Sequence, residues 1–161
     1  MGIEIERKYS VKPKLSIQEI LKILENSPHE TIKDYYFNPM TRLRIKNGKK
    51  YITIKSLEMF KRDEWEFELA SGELDFIPAP ILVKERYYYT YENNKFEVNI
   101  YKDIRDKNDR PLVIVEIEMS SEISDIKLPD WIDHDCTYHP NFYNYTIFGH
   151  LLEDYQKRVA I

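Results

Sequence analysis

The sequence predicts an α+β fold that is mainly β, with one antiparallel domain of about eight strands and two helices over residues 1–161. Most of the chain consists of short segments rich in Ile, Val, Tyr and Phe, in which apolar and polar residues alternate as in half-buried strands. Between two such segments, Asn47-Gly48 is the preferred two-residue turn of a β-hairpin. No repeat, low-complexity tract or Pro/Ser-rich linker divides the chain, so a single domain is expected.

Composition narrows the class of protein. A hydrophobic content of 42%, a charged content of 32% and a net charge of −4 describe a globular protein with no broad attraction to nucleic acid or anionic membranes. Four glycines and the lack of GxGxxG and GxxxxGK[ST] exclude a glycine-rich phosphate loop. The single Cys136 excludes an internal disulfide. With no apolar run of ~18 residues and no signal-peptide core, the expected location is the cytoplasm.

Two segments have helical periodicity. In "LSIQEILKILENS", apolar residues recur at i, i+3, i+4 and i+7 from Ile17, and Ser16 with Glu19 has the pattern of a capping box. A second amphipathic pattern covers residues 144–159. These are the two predicted helices.

The predicted strands are "GIEIERK", "TRLRIK", "KYITIK", "RDEWEFEL", "LVKERYYYTY", "KFEVNIY" and "LVIVEIEM". Because side chains alternate between the faces of a strand, each has one apolar face and one face with two or more charges. The charged faces are mostly single-signed. The bases are Lys8, Arg42, Arg44, Lys46, Lys55, Arg62, Lys84 and Arg86. The acids are Glu4, Glu6, Glu64, Glu66, Glu68, Glu97, Glu116 and Glu118.

Two interpretations of these faces stay open from the pattern alone. A charged face can simply be the solvated side of an open sheet, although clustered like charges are unfavourable there. Alternatively, the sheet closes into a barrel whose charged faces line the lumen. Bases in a lumen would bind a polyanion, and carboxylates would hold divalent cations that bridge its oxygens. Triphosphate with Mg²⁺ or Mn²⁺ fits both halves.

The motifs add a family resemblance. "EIERK" is an ExExK motif, and with it the sequence resembles the CYTH, or triphosphate tunnel metalloenzyme, family in its short bacterial form. "TRLRIKNGKKYITIK" is similar to the family's LRxR…LTxK hairpin, "RDEWEFEL" to its RxExE strand and "VKERY" to its KxRY strand. "FEVNIY" resembles an EVD strand, "VEIEM" the closing ExE strand, and "LPDWIDHDCT" with Tyr143-Asn144 the family's short ending. The resemblance covers nearly the whole chain.

The resemblance implies a closed eight-stranded antiparallel β-barrel, forming a tunnel, with helices packed outside. It implies a substrate-binding set of Lys8, Arg42, Arg44, Lys55, Arg62, Lys84 and Arg86. It implies metal ligands for Mg²⁺ or Mn²⁺ among Glu4, Glu6, Glu64, Glu66, Glu116 and Glu118. The expected catalytic residues are Lys8, which would steady the terminal phosphate or activate water, Glu4, which would position the water, and Lys55. One departure is Asn99, where the family commonly has an Asp that can help bind a second metal.

The function implied by this resemblance is metal-dependent hydrolysis of inorganic tripolyphosphate, with nucleoside triphosphates as further candidate substrates. A class IV-type adenylyl cyclase and a thiamine triphosphatase are the alternatives within the family. A module that binds triphosphate or polyphosphate without turnover is the non-enzyme alternative. The expected partner is a small-molecule triphosphate rather than nucleic acid or membrane, and a homodimer is an open alternative.

Overall fold

The structure is a computed structural model that describes residues 2–57, 60–70, 80–121 and 125–160. The described residues form nine strands and two α-helices. In chain order these are β1 (Gly2–Val11), α1 (Ile17–Ile23), β2 (His29–Asn38), β3 (Thr41–Lys46), β4 (Lys49–Lys55), β5 (Lys61–Glu68), β6 (Leu82–Tyr91), β7 (Asn94–Arg105), β8 (Pro111–Glu118), β9 (Ile132–Asp135) and α2 (Asn144–Val159). A 3₁₀ turn at Pro140–Phe142 leads into α2.

The sheet closes into a barrel. Its strands follow the order β5-β4-β3-β2-β6-β7-β8-β1, and β1 pairs back onto β5 through Gly2–Ile5. Every pairing is antiparallel. β1 also carries the additional strand β9, which joins at Tyr9 and Val11. The predicted closed eight-stranded antiparallel barrel is therefore confirmed, with one strand added beside it.

The charged faces point into the barrel. Lys8 lies opposite Glu116 in register, and the side chains of both are almost completely buried. Arg42, Arg44 and Arg86 are also less than a tenth exposed. Side chains on the solvated face of an open sheet would not be buried in this way. The inside-out barrel is thus the correct interpretation of the alternation.

The outer core lies beneath α1. Ile20 and Leu24 are fully buried against apolar residues on the outer faces of β1, β7 and β8. The predicted capping box is present, because Ser16 Oγ accepts from the Glu19 N–H at 3.1 Å and Glu19 Oε2 accepts from the Ser16 N–H at 2.7 Å. α1 starts immediately after this cap, at Ile17.

The other helix, α2, packs at one end of the barrel. There the inward-facing residues become apolar, and Ile147 and Phe148 of α2 pack against them. These inward-facing residues are Tyr36, Leu82, Tyr101 and Ile114. Each lies opposite a charged or polar inward-facing residue in the strand register. The interior therefore has a charged section and an apolar end that α2 covers.

Two strands were not recognised in the sequence. β2 reads "HETIKDYYFN", and its inward side, with Ile32, Asp34 and Tyr36, mixes apolar and charged residues. β9 has only four residues. Within the described ranges, no helix has both the length and the apolarity needed to cross a membrane.

We predict that Phe148→Ala destabilises the protein by about 3–5 kcal/mol, because it leaves a cavity where α2 covers the barrel end. Phe148 is 3% exposed. The matched control is Phe67→Ala, since Phe67 is 55% exposed on β5 and should cost about 0.5 kcal/mol or less. Urea denaturation followed by circular dichroism measures both. Equal losses in the two variants would contradict the role given to α2.

Candidate active site in the barrel lumen

A cavity of about 160 Å³ occupies the charged section of the barrel. We call it the lumen cavity. All six predicted metal ligands line it, together with most of the predicted bases. Its lining residues are Glu4, Glu6, Arg42, Arg44, Lys46, Tyr51, Lys55, Arg62, Glu64, Glu66, Arg86, Glu97, Glu116, Glu118 and Asn144. The structure thus gathers residues from seven strands and α2 around one small space.

Glu4 sits between two bases where β1, β4 and β5 meet. Its Oε2 is 2.8 Å from Lys55 Nζ and 2.5 Å from Arg62 Nε. Lys55 Nζ is also 2.7 Å from Glu64 Oε2. Although burial opposes ionisation, Lys55 and Arg62 lower the pKa of Glu4 from 4.5 to about 2. Glu4 is therefore a permanently ionised carboxylate of low basicity.

Lys8 is held between two acids. Its Nζ is 3.2 Å from both Glu6 Oε1 and Glu116 Oε1. Burial opposes the charge, but Glu116 and Glu6 outweigh it and raise the pKa of Lys8 above its ordinary value. The backbone is fixed as well, since the Lys8 N–H donates to Thr137 Oγ1 and the Lys8 carbonyl accepts from the Cys136 N–H. Lys8 is a positioned ammonium donor and not a base.

Arg44 is held by a partner that the sequence analysis missed. Asp34 of β2 is fully buried and accepts two hydrogen bonds from Arg44, each 2.7 Å long. Burial favours the neutral acid, but the Arg44 guanidinium dominates and holds the pKa of Asp34 well below its usual range. Such a bidentate pair fixes the plane of the guanidinium. Asp34 therefore orients a predicted phosphate-binding arginine.

Arg86 is oriented by three groups. Its Nη1 is 2.8 Å from Glu97 Oε2, its Nη2 is 3.6 Å from Glu116 Oε2, and its Nε donates to Asn99 Oδ1 at 2.8 Å. Asn99 is fully buried, and its Nδ2 donates to the carbonyls of Glu97 and Ile114. Asn99 does not line the lumen cavity. In this chain it positions Arg86 and spends its amide on protein groups.

Two buried bases have no carboxylate partner among the residues that the structure describes. Arg42 Nε and Lys84 Nζ are buried without a hydrogen-bond acceptor. Lys84 Nζ lies 5.4 Å from the centre of the Tyr101 ring. Burial, reinforced by Arg86, lowers the pKa of Lys84 well below its ordinary value. Of the seven predicted substrate-binding residues, Lys84 alone lines neither the lumen cavity nor the cavity at its mouth described below.

The acids face one another across strand pairs. Glu6 lies opposite Glu118, and Glu97 lies opposite Glu116. Burial and the surrounding carboxylates raise the pKa values of Glu118 and Glu97. Directly opposed like charges are unfavourable in a sheet, and a divalent cation would neutralise them.

The donor set fits a hard cation because every candidate ligand offers carboxylate oxygen. No three His, Cys, Asp or Glu side chains are already arranged as a metal cage in the described part of the chain. Glu6 and Glu116 instead bond to Lys8. Metal binding by the six predicted glutamates stays a prediction, and it requires these acids to exchange partners.

A second cavity, of about 290 Å³, opens beside the lumen cavity, and we call it the mouth cavity. The two share Arg42, Lys55, Arg62 and Asn144. The remaining lining is largely apolar or aromatic and contains no Asp or Glu. It consists of Lys8, Tyr36, Pro39, Met40, Thr53, Ser56, Leu57, Tyr143, Tyr145 and Thr146.

A closed antiparallel barrel with a charged, water-poor lumen defines the class of protein. The profile of the CYTH domain family matches residues 2–141, and the chain belongs to that family. No curated protein matches the chain.

Solved structures share the fold. The inorganic triphosphatase NE1496 superposes with a TM-score of 0.59 at 20% identity, over 91% of this chain and 95% of that one. A second structure of NE1496 gives a TM-score of 0.57 at 20% identity, over 89% and 96%. A candidate adenylate cyclase from Bacillus halodurans, bh2851, gives 0.56 at 14% identity, over 98% and 91%. These likenesses establish the fold.

We predict that the stabilisation supplied by Glu4 is lost in acid. The unfolded carboxyl takes up its proton near pH 4.5, whereas the folded one stays ionised down to about pH 2. The stability gap between the wild type and Glu4→Gln should therefore be full above pH 5 and shrink by about 2–3 kcal/mol as the pH falls through this window.

Urea denaturation between pH 6 and pH 3 measures the first part of that loss. The control is Glu153→Gln on the exposed side of α2, whose stability curve should run parallel to that of the wild type. A gap between wild type and Glu4→Gln that stays constant with pH would show that the Lys55 and Arg62 contacts do not hold Glu4 ionised.

Proposed function

We propose that this protein is a divalent-metal-dependent phosphohydrolase that cleaves a phosphoanhydride bond of a linear triphosphate, with inorganic tripolyphosphate as substrate. One observation carries the proposal: the lumen cavity is built from interleaved bases and carboxylates that are already paired with each other. A metal–triphosphate complex brings both a polyanion and a cation. It can replace each paired charge by one of the same sign, so the buried groups never lose compensation.

Binding of the phosphates falls to the guanidinium and ammonium groups. Arginine presents a planar fork of donors that matches phosphate oxygens. Arg44 is held by Asp34 and Arg86 by Asn99, so their donors are fixed before a substrate arrives. Fixed donors lower the barrier by positioning the reacting groups and by stabilising charge on the transferring phosphoryl group.

The metal would be Mg²⁺ or Mn²⁺, held first by Glu6, Glu116 and Glu118, with Glu4, Glu64 and Glu66 completing the acidic set. When bound, such a cation neutralises phosphate oxygens and lowers the pKa of water. The exposed Glu118 and the half-buried Glu64 border the lumen cavity, where a hydrated ion can reach them. The opposed pair Glu6 and Glu118 gains most from a divalent charge.

The remaining chemistry requires little proton transfer. Lys8 stays protonated, which suits holding a phosphoryl oxygen and does not suit removing a proton from water. Glu4, fixed by Lys55 and Arg62, suits orienting the attacking water through its ionised oxygens. Phosphoryl transfer depends mainly on positioning and electrostatic stabilisation, and both are functions that this site can supply.

One observation favours a second candidate substrate class. The mouth cavity places Tyr36, Met40, Leu57 and Tyr145 beside the bases of the lumen. Apolar and aromatic side chains stack well on heteroaromatic rings. A nucleoside triphosphate or thiamine triphosphate would fit with its phosphates in the lumen and its ring system in the mouth.

A product-resolved assay with tripolyphosphate, ATP and thiamine triphosphate tests the proposal. With Mg²⁺ or Mn²⁺ we expect one phosphate and one pyrophosphate from each tripolyphosphate. Cyclic AMP with pyrophosphate from ATP would identify a cyclase instead. Measurable binding of tripolyphosphate without any product would identify a binding module.

We further predict that Lys8→Ala lowers kcat/KM for the preferred triphosphate by about 10²–10³-fold, as expected when one preorganised donor to the transition state is removed. Lys102→Ala is the matched control, because the Lys102 side chain is 55% exposed on the outside of the barrel. Circular dichroism and Tm confirm that both variants fold. Activity of folded Lys8→Ala close to that of Lys102→Ala would refute the role of Lys8.

A further inference from the structure

The first turn of α2 reaches the barrel interior with its backbone donors free. Tyr143, at the N-cap, makes no side-chain hydrogen bond to the turn. Ile147 is the first residue of α2 whose N–H is bonded, to the Tyr143 carbonyl at 3.0 Å. Among the described residues, the N–H groups of Asn144, Tyr145 and Thr146 have no acceptor. Such a 16-residue helix carries a positive partial charge at this end, which favours an anion.

Asn144 directs two further donors to the same place. It lines both the lumen cavity and the mouth cavity. Its Oδ1 accepts from the Tyr101 hydroxyl at 2.5 Å, which fixes the orientation of the amide. With the oxygen occupied, the Nδ2 hydrogens have no acceptor within the described part of the chain. The residue therefore presents donors to the cavities and keeps its acceptor for the protein.

An independent observation points to a ligand here. Arg42 is only 8% exposed, lines both cavities, and has an Nε that bonds to nothing in the described residues. Its neighbours Arg44, Lys55 and Arg62 all have carboxylate partners. Burying an uncompensated guanidinium is costly, so an anion from outside is the natural partner.

The composition of the mouth cavity defines what kind of anion. Lys8, Arg42, Lys55 and Arg62 all border it, and no Asp or Glu does. Metal ligands are therefore confined to the lumen side. An anion at the junction of the two cavities is held by hydrogen-bond donors and positive charge alone, which suits a phosphoryl group with several free oxygens.

We propose that the first turn of α2, Asn144 and Arg42 form a metal-free phosphoryl subsite at the junction of the lumen and mouth cavities. It holds the phosphoryl group nearest the mouth: an end group of tripolyphosphate, or the group that carries the organic substituent in an organic triphosphate. The inference rests on the proposed triphosphate site. It makes α2 a part of that site and divides the substrate into an end held by donors and an end held by metal and acids.

Asn144→Asp tests the subsite with a change of almost no volume. The aspartate keeps an oxygen for Tyr101 but removes the two Nδ2 donors and places a negative charge beside Arg42 and the helix N-terminus. We expect the Kd for tripolyphosphate, measured by calorimetry in EDTA, to rise about tenfold or more, since hydrogen bonds to charged groups are lost. The Tm should be unchanged or higher, because an acid at this helix end is favourable.

Asn141→Asp is the control. It makes the same charge change in the 3₁₀ turn, on a surface groove that borders neither cavity, and should bind tripolyphosphate like the wild type. A Kd of Asn144→Asp within twofold of the wild-type value would overturn the subsite. Wild-type protein that binds no tripolyphosphate in EDTA would overturn it as well.

The outcomes separate the subsite from the proposed activity. If Asn144→Asp loses binding but neither it nor the wild type hydrolyses any triphosphate with Mg²⁺ or Mn²⁺, the subsite stands and the hydrolase proposal fails. If both proteins hydrolyse tripolyphosphate and bind it equally, the hydrolase proposal stands and the subsite fails. Inorganic phosphate provides a second probe: at constant ionic strength it should raise the Tm of the wild type more than that of Asn144→Asp.

Discussion

Compensation of charge inside a closed barrel is the constraint on which the rest of the structure depends. Each ionised group removed from water costs several kcal/mol unless a partner of opposite sign replaces the water. Here the partners come from different strands: Glu4 of β1 bonds to Lys55 of β4 and Arg62 of β5, and Arg44 of β3 bonds to Asp34 of β2. The pairing fixes how the strands lie beside one another, and the closed strands in turn keep water away from the pairs.

The barrel consequently has two cores with different tasks. Buried ion pairs are a weak source of folding free energy, because desolvation offsets most of their attraction. The net driving force comes from apolar burial, on the outer faces under α1 and at the barrel end under α2. The charged interior can then be arranged for binding, since it does not have to hold the fold together by itself.

The sequence predicted those parts of the site in which one strand carries one sign of charge. β3, with Arg42 and Arg44, is of this kind, and strict alternation assigned it correctly. Asp34 escaped because the inward side of β2 also holds Ile32 and Tyr36, a mixture that no pattern distinguishes from a surface strand. The closure itself was beyond local pattern, because an open solvated sheet and an inside-out barrel have the same alternation.

Other features depend on contacts between residues far apart in the chain. Asn144 joins the site through Tyr101, 43 residues away, and nothing in the sequence around either residue indicates that bond. Lys84 shares its alternation with Arg86, yet it lies behind the cavity wall against Tyr101. Asn99 stands in the strand pattern of a ligand but serves Arg86 and two backbone carbonyls. Strand period gives the face of a residue and not its depth.

The short junction between β1 and β5 has a consequence for motion. These strands pair only through Gly2–Ile5 before β1 passes on to β9, and Glu4 lies opposite Arg62 within that stretch. Unzipping of the barrel at this seam separates two charges that border the lumen. A ligand bound across them has affinity for the zipped form alone, so its occupancy lowers the frequency of opening by the factor 1 + [L]/Kd. The seam thereby couples how often the barrel breathes to whether its interior is filled.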